Sequence, residues 1–336
     1  MVVDRRLPLS ISPVPVGDGR GGGIVEYLTR DQLKMLIGRS LKYLVRRRPQ
    51  VKIQREAPPS PPLVSVIIPT YNWSNVLRLA IRSVLWQTEQ NFEILVVGDG
   101  CTDDSEAVVN AIGDMRIRWH NLPANSGSQS APNNMGLALA RGPYVAYLGH
   151  DDLWHPEHLR TLLSAIVSSS ADVGSSLLEM IGPAGTNFRV VAGLFPPGGY
   201  DGVKGLPPSG LMHRREVADR VGGWRDYRTI WRNPDTDFVY RAFEAGCRFV
   251  STRELTAFKF PSALRKNSYV EKPCHEQVAY QKRLETQRWF LLKETLAIAR
   301  IHVRRLPMRA PVHASPPDPH TPGWEVSQFR KFRGLE

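Results

Sequence analysis

The sequence predicts an α/β fold with an open, mostly parallel sheet at its centre. Short apolar runs typical of buried strands occur at 64–69 (VSVIIP), 93–97 (EILVV) and 144–148 (YVAYL), and the segments between them have helical periodicity. Strands that alternate with helices at this spacing form βαβ units, and such units assemble into parallel sheets. The basic segments on either side of this region are predicted to be helical extensions.

The N-terminal extension is predicted to contain one amphipathic helix. Thr29 and Gln32 have the spacing of a capping box, and an apolar stripe runs from Leu33 to Leu44. Arginines at 46–48 follow, where they favour the negative end of the helix dipole. Two arrangements are open: the helix lies in a membrane interface, or it packs on the main domain or a partner. A proline-rich stretch at 57–62 ends the extension, because it cannot continue a helix.

Within the central region, each predicted strand is followed by a predicted helix. One helix spans 76–88, another starts near Asp104, a third covers about 133–140, and a fourth follows Pro156, while 117–119 reads as a further short strand. Residues 170–260 are less regular and rich in Gly and Pro, which predicts long loops that carry binding function. We therefore divide the chain into an extension at 1–62, a catalytic domain at 63–264 and a second basic extension at 265–336.

The C-terminal extension is predicted to form one long helix or two over 275–305. A dense apolar group at 289–292 is followed by Arg300, Arg304 and Arg305. Aromatic residues beside arginines suit a membrane interface, and packing on the sheet or on a second subunit is the open alternative.

Cysteine content and hydropathy exclude several classes of protein. The chain has 336 residues and only 3 cysteines, none in a Cys-x-x-Cys pair, so neither a disulfide framework nor a structural zinc site is expected. There is no uninterrupted apolar run of about 18 residues, and the N-terminus lacks the long apolar core of a secretory signal. These features predict a cytoplasmic protein.

Positive charge is concentrated in the two extensions. The net charge is +12, but residues 1–56 and 265–336 carry +7 each and the middle of the chain carries −2. A nucleic-acid enzyme would spread positive charge around its cleft, so no nucleic-acid partner is expected. Basic flanks fit a peripheral contact with the anionic inner face of the cell membrane, or they serve solubility alone.

Two adjacent carboxylates end the strand at 144–148. Asp151 and Asp152 follow Gly149 and His150, and ligands of open α/β sheets bind outside the carboxyl ends of the strands. Two acids at such an edge can hold a hard divalent cation, which in turn grips a diphosphate. The alternative interpretation is an ordinary Gly/Asp turn.

Four segments in order resemble a family 2 glycosyltransferase with the GT-A fold. They are VSVIIPTYN at 64–72, ILVVGDGCTDDS at 94–105, YVAYLGHDDLW at 144–154, and SGLMHRREVADRVGGWRD at 209–226 with NPDTDF at 233–238. The resemblance covers about residues 63–260. It implies a Rossmann-like sheet and the transfer of a sugar, with inversion, from a nucleotide-diphosphate sugar with the help of Mg or Mn.

The resemblance also implies roles for individual residues. Asp152 is the preferred metal ligand, with Asp151 as a metal and ribose-diphosphate acid, and Asp235 is the catalytic base. Asp237 is the rival base, and His213 is a possible catalytic residue that is more typical of a structural or phosphate-side donor. The donor-binding set is Pro69, Thr70, Tyr71, Asp99, Asn133 and Asp151, and the acceptor-side loop is Gly222, Gly223 and Trp224.

The chemistry of sugar transfer agrees with this assignment. A sugar hydroxyl is a poor nucleophile, so a carboxylate should remove its proton during attack, and a metal held by Asp152 can neutralise the leaving diphosphate. Inversion in one step requires the base and the leaving group on opposite sides of the anomeric carbon. The metal acids and the base should therefore come from distant parts of the sequence, as Asp152 and Asp235 do. Each acid also has a bland alternative, since Asp99 could cap a turn and Asp235 could be a helix N-terminal charge.

Some positions depart from the family pattern. Gly98 replaces one of two usual acids, Asn133 stands where an arginine is common, and His150 stands where a third acid often precedes the metal pair. The preferred function is an inverting transferase of surface-polysaccharide or cell-envelope biosynthesis, with UDP as the expected nucleotide and a glycan or lipid-linked acceptor. The alternatives are a degenerate glycan-binding or scaffold member of the same fold, and a nucleotidyltransferase. The latter is disfavoured because no basic Gly-rich loop follows the first strand.

Overall fold

The computed structural model describes residues 27–45, 49–51, 53–56, 61–308 and 321–335. The predictions for the first 26 residues, for the arginines at 46–48 and for most of the proline-rich stretch lie outside the described residues. The strands are β1 Val64–Thr70, β2 Phe92–Gly98, β3 Ile117–Asn121, β4 Tyr144–Tyr147, β5 Leu153–Trp154, β6 Val173–Ile181, β7 Arg189–Ala192, β8 Leu211–Arg214 and β9 Phe249–Lys259.

The helices alternate with these strands in the first half of the chain and cluster at its end. They are α1 Arg30–Leu41, α2 Ser74–Leu85, α3 Ser105–Asn110, α4 Ser130–Leu139, α5 His158–Ser169, α6 Arg215–Val221, α7 Pro234–Glu244, α8 Ser268–Glu271, α9 His275–Thr286, α10 Phe290–Val303 and α11 Trp324–Arg333. Short 3₁₀ turns occur at Lys42–Leu44, Pro208–Gly210, Tyr227–Thr229 and Ser262–Leu264.

The strands form one sheet in the order β3-β2-β1-β4-β8-β6-β9-β5, with β7 paired to β6. β1 to β4 are mutually parallel, β8 runs antiparallel to both β4 and β6, and β9 is parallel to β6. The predicted α/β class with an open, mostly parallel sheet flanked by helices is confirmed. Its parallel half is the part that the apolar runs of the sequence predicted.

The central strands are buried on both faces, as their continuous apolar runs require. Val66 and Ile68 of β1 pack in the core with α2 and α5, whereas Ile67 between them packs in the core with α6 and α7. Such alternation follows from the two-residue period of a strand. α4 also lies close to β1, because a Cβ built on Gly136 would stand 2.5 Å from an Ile67 methyl group.

The extensions pack on the domain and on each other. α1 contacts β9 and α10, with Leu33 and Leu36 buried, so packing on the main domain is the arrangement that the structure shows for this helix. The predicted capping box of Thr29 and Gln32 is present. The long C-terminal helix is two helices, α9 and α10, and α9 packs on α2.

Charged side chains hold α1 to the sheet. Glu254 of β9 accepts hydrogen bonds from Lys42 and Tyr43 and a weaker one from Arg39, 3.4 Å from its Oε1. Glu254 lies in the middle of β9, five residues before Lys259 at the end of the strand. Among the described helices, none combines the length and the apolar composition that a membrane span needs.

Candidate active site

The carboxyl ends of β1, β2 and β4 form one edge of the sheet, since the three strands are parallel neighbours. Thr70 ends β1 opposite Gly98, and the amide of Asp99 donates to the Thr70 carbonyl at 2.8 Å. His150, Asp151 and Asp152 follow β4 at the same edge. We call the region bounded by Asp99, Asp151, Asp152 and Asp235 the carboxylate cleft.

Asp99 lies at the β2 end of the carboxylate cleft and is held by the loop before α4. Its carboxylate accepts hydrogen bonds from the amides of Ser126, at 2.9 Å, and Gly127, at 3.3 Å. Burial raises the pKa of Asp99, and these amides partly offset the increase. Asp99 is thus an ordered acceptor beside the strand ends, where its predicted contact with a nucleobase remains a prediction.

Asp152 is fully buried and engaged within the protein. Its carboxylate accepts hydrogen bonds from the Ser209 hydroxyl, from the Phe260 amide at 3.0 Å and from the Lys259 ammonium at 3.1 Å. Burial raises the pKa of Asp152, and Lys259 offsets only part of that increase. These three donors hold the Asp152 carboxylate in place, and its predicted role as a metal ligand stays a prediction.

Asp151 has the opposite environment although it is the adjacent residue. Its carbonyl accepts a hydrogen bond from Gln277, but its carboxylate accepts none within the described ranges. The carboxylate faces Lys259, Tyr269 and Arg333, since it interacts electrostatically with all three. Asp151 is therefore the acid of this pair that is free to meet a ligand.

The acids that begin α7 divide in the same way. Asp237 is buried and pairs with Arg241 at 2.7 Å and with Arg225 at 3.8 Å, so it holds the helix in place. The Asp235 carboxylate accepts local hydrogen bonds, from the Thr236 amide at 2.8 Å, from the Thr236 hydroxyl and from its own amide, and no ion pair involves it in the part of the chain that the structure describes. Burial raises the pKa of Asp235 above its ordinary value.

Lys259 joins the two pairs of acids, and sequence analysis missed it. Asp152, Asp151 and Asp235 all interact with its ammonium, and they keep its pKa raised although burial alone would lower it. Asp151 and Asp152 are 83 residues or more from Asp235 in sequence, yet they meet around one cation. A single lysine at the end of the apolar strand β9 is the signal that could have revealed it.

The two histidines near the site are buried and neutral. His150 bonds to the Thr70 hydroxyl at 2.9 Å through Nδ1 and to the Tyr269 hydroxyl at 3.2 Å through Nε2, so neither ring nitrogen is open to a metal. His213 bonds to the Tyr147 hydroxyl at 2.9 Å and to the Arg214 carbonyl at 2.7 Å. Burial lowers the pKa of each to about 4. His213 thus has a structural place in the core, and a catalytic role for it stays a prediction.

The predicted acceptor-side loop also has a structural place. Gly222 is the left-handed C-cap of α6, Gly223 follows it, and the Trp224 ring stacks on Phe238 with centroids 4.7 Å apart. Trp224 is only 3% exposed, and its amide donates to Asn134 at 2.8 Å. An acceptor contact of this loop remains a prediction.

The remaining donor-side residues line the β1 edge and α4. Pro69 is half-buried, and Tyr71 is half-buried with its ring 6.2 Å from the Tyr269 ring. Asn133 is fully buried, and neither polar atom of its amide has a hydrogen-bond partner among the described residues. An unpaired buried amide is costly, so the Asn133 environment suits a ligand that can bond to it.

A divalent cation fits only part of the predicted ligand set. Within the described ranges there is no group of three or more His, Cys, Asp and Glu side chains placed to hold a metal. Asp152 and His150 are engaged elsewhere, whereas the free carboxylate of Asp151 suits Mg, which often takes one or two carboxylates and completes its shell with phosphates and water. The residues present therefore fit a cation shared between Asp151 and a bound diphosphate.

Comparison with known proteins decides the class of this domain. Residues 65–190 match the family model described as Glycosyl transferase family 2. This stretch is a family 2 glycosyltransferase domain. The carboxylate cleft of the glycosyltransferase domain begins within the matched residues and is completed by Ser209, Asp235 and Lys259 beyond them.

Curated relatives match the glycosyltransferase domain over about 110 residues. An uncharacterized glycosyltransferase of Rickettsia typhi is 42% identical over 108 residues, which is 31% of this chain and 33% of the relative. Glycosyltransferase GlyA of Streptococcus pneumoniae serotype 4 is 36% identical over 110 residues, 33% of this chain and 16% of the relative. The chain thus spans a third or less of the length of these relatives.

Solved structures share the fold at low sequence identity. Staphylococcus aureus TarS matches 69% of this chain and 42% of its own, with a TM-score of 0.51 and 22% identity. Its fragment 1–349 in complex with UDP-GlcNAc matches 69% of this chain and 71% of its own, with a TM-score of 0.50 and 20% identity. The predicted GT-A fold of the glycosyltransferase domain is confirmed.

Proposed function

We propose that this chain is an inverting glycosyltransferase that moves a sugar from a nucleotide-diphosphate sugar to a hydroxyl group of a glycan or lipid-linked acceptor. The observation that carries the proposal is the meeting of Asp151, Asp152 and Asp235 around Lys259. Acids from two distant segments face one cleft, as a displacement with the base and the leaving group on opposite sides requires. The family assignment supports the same chemistry.

Asp235 is the proposed base. Its carboxylate is not committed to an ion pair of the kind that holds Asp237, and from the start of α7 it interacts electrostatically with Lys259. A carboxylate whose pKa is raised is a stronger base once it is ionised, and it can take the proton of the acceptor hydroxyl during attack. Lys259 lies close enough to stabilise the ionised form of Asp235.

The donor is proposed to lie along the strand ends. The nucleoside would lie between Asp99 and Tyr71, beside Thr70 and Pro69, and Asn133 would bond to the donor from α4. Asp151 would share Mg or Mn with the diphosphate, and this cation would neutralise the charge of the leaving group. Lys259 adds a fixed positive charge beside the same position. The UDP-GlcNAc bound by TarS supports UDP as the nucleotide.

The acceptor and the cellular location are proposed from the charge of the two extensions. Basic extensions suit an enzyme that works on a lipid-linked or growing surface glycan at the inner face of the cell membrane. The exposed Trp289 and Val303 of the α10 region lie among arginines on the outside of the molecule, which supports a peripheral contact. We therefore propose polysaccharide or cell-envelope biosynthesis in the cytoplasm.

A donor screen tests the proposal. The protein is incubated with UDP- and GDP-sugars, with Mg, with Mn and with a chelator, and released nucleoside diphosphate is measured. We expect slow metal-stimulated release with one donor class, and its loss in Asp235→Asn but not in Arg253→Ala, an exposed control on β9. Absence of release with every donor, together with unaltered glycan binding, would support the scaffold alternative instead.

A further inference from the structure

The helix α11 lies across the carboxylate cleft, far from where its place in the sequence would put it. The Asn267 amide donates to the Phe332 carbonyl at 2.9 Å, and Arg330 donates to the Gly127 carbonyl at 3.0 Å. A Cβ built on Gly127 would stand 3.2 Å from Arg330, so the loop that holds Asp99 packs closely against this helix. α11 therefore contacts the nucleobase side of the proposed donor site.

The other end of α11 reaches the catalytic side. Glu325 accepts a hydrogen bond from the Asn233 side chain and interacts electrostatically with Asp235. The amide of Gly323, just before the helix, donates to the Ile230 carbonyl at 2.9 Å. One helix thus contacts both the loop beside Asp99 and the residue that precedes α7.

Arg333 has the features of an anion-binding residue. Its Nε is buried and has no hydrogen-bond partner among the described residues, and its guanidinium lies 5.7 Å from the Phe329 ring centroid. Its guanidinium interacts electrostatically with Tyr269, Asp151 and Arg330. A buried donor of a forked guanidinium is costly when unpaired, and such a group binds phosphate with two parallel bonds.

We propose that Arg333 binds the diphosphate of the nucleotide donor, and that α11 is the lid that carries it there. The inference rests on the proposed function, since it assigns a further ligand to the same donor. Arg333 and Lys259 then both supply positive charge beside Asp151, and Arg330 positions the helix by anchoring it to the Gly127 carbonyl.

The packing of α11 suits an element that opens and closes. None of its residues is fully buried, and it has contacts with the short elements Ser262–Leu264 and Ser268–Glu271 rather than with the sheet core. Segments with few buried apolar contacts open at low free-energy cost, as a lid over a ligand must do.

Nucleotide titration calorimetry tests this proposal on the full chain. UDP, UMP, GDP and GMP are titrated into wild type, Arg333→Ala, Arg333→Lys and Lys331→Ala, with thermal unfolding recorded for each. Lys331 is exposed on the same helix, so its substitution removes the same charge without touching the cleft. We expect Arg333→Ala to raise the Kd of the bound diphosphate by about 10-fold or more, and that of the monophosphate by less.

The control variants sharpen the result. Lys331→Ala should stay within about 3-fold of wild type, because exposed charges act only through screened, long-range interactions. Arg333→Lys should recover part of the affinity, since it keeps the charge but not the fork. If Arg333→Ala matches Lys331→Ala, or binds the diphosphate more tightly than wild type, this proposal fails and the proposed function stands. If wild type binds no nucleoside diphosphate, both fail.

Discussion

The loop after β4 and the start of α7 have the same arrangement of acids. Each supplies two carboxylates, and in each one acid is committed to the fold while the other faces the carboxylate cleft. Asp152 binds Ser209, the Phe260 amide and Lys259, and Asp237 binds Arg241, whereas Asp151 and Asp235 have no such partners within the described ranges. Closeness in sequence therefore does not assign chemical roles. The hydrogen-bond and ion-pair partners of each acid indicate which one stabilises the fold and which one is available to a ligand.

The largest effect on turnover is expected at Asp235, the proposed catalytic base. Asp235→Asn should lower kcat by about 10²- to 10⁴-fold, because it removes the proposed general base, while the melting temperature stays close to that of wild type. Initial rates of donor turnover and thermal unfolding check this.

Asp237→Asn is the matched variant in the same turn of α7. It should lower the melting temperature, because it breaks a largely buried ion pair with Arg241. When rates are compared at the same concentration of folded protein, most of the wild-type turnover should remain. If Asp237→Asn abolished turnover while the fold stayed intact, and Asp235→Asn did not, the assignments of the two acids would have to be exchanged.

The next effect is expected at the acids after β4. Asp152→Ala should lower the free energy of unfolding by about 3 kcal/mol, because it leaves the Lys259 ammonium buried without its hydrogen-bonded partner. Asp151→Ala should change stability by less than about 1 kcal/mol and should instead remove the Mg dependence of nucleoside diphosphate binding.

Chemical denaturation and calorimetry with and without Mg separate these outcomes. A stable Asp152→Ala protein that loses only its metal response would show that Asp152 is a metal ligand after all. The roles of Asp151 and Asp152 in the loop after β4 would then have to be exchanged.

A buried neutral histidine adjoins each region, His150 in the loop after β4 and His213 of β8 packed near Phe238 of α7, and their titration gives a smaller effect. The pKa of His150 and of His213 falls from 6.5 to about 4 on burial, so between these values the unfolded chain binds protons that the folded chain does not. Their stabilising effect is complete above pH 6.5 and is lost as the pH falls toward 4. Each should contribute a slope of about 1 kcal/mol per pH unit in that window.

Denaturation curves recorded from pH 4 to pH 7 test this, with His213→Gln as the variant. His158, whose pKa burial lowers to about 3, and His302, whose pKa burial also lowers, contribute to the slope in wild type and in the variant alike. The slope of stability against pH should be shallower in His213→Gln by about one proton. An unchanged slope would mean that His213 titrates normally in the folded protein.

The smallest effect is expected at Asn133, which belongs to neither region. Asn133→Leu should raise the free energy of unfolding of the ligand-free protein by about 1 kcal/mol, because it removes a buried amide without partners. The same variant should show a smaller rise in melting temperature with UDP, since a donor contact is lost. Destabilisation of the ligand-free protein would argue that the amide already has a partner.

The parallel half of the fold was predictable because its signals are local. β1, β2 and β4 are continuous apolar runs, and α1 carries its own capping box at Thr29 and Gln32. The position of Asp99 and of the acids after β4 follows from the same runs, since parallel strands end at one edge. The resemblance then added Asp235, which no local pattern distinguishes from Asp237.

The rest of the candidate site depends on contacts that no local pattern contains. Lys259 meets Asp152 across 107 residues, and Arg330 meets Gly127 across 203. α11 has basic residues in its last turn and no fully buried residue, and sequence analysis did not predict it. The division of the chain into three domains, with boundaries at 62 and 264, also remains a prediction. Lys259 lies close to the second boundary, and its partner Asp152 lies far before it in the sequence.

β9 gives the molecule a mechanical link between its N-terminal extension and its chemistry. Glu254, in the middle of the strand, accepts a hydrogen bond from Lys42 directly after α1. Lys259, at the end of the strand, donates one to Asp152. A shift of a strand by one residue turns every side chain to the opposite face. A displacement of β9 at Glu254 would therefore either remove Lys259 from Asp152 completely or leave that contact unchanged. Shortened versions of this protein that omit α1 should accordingly be judged by their nucleotide affinity as well as by their solubility.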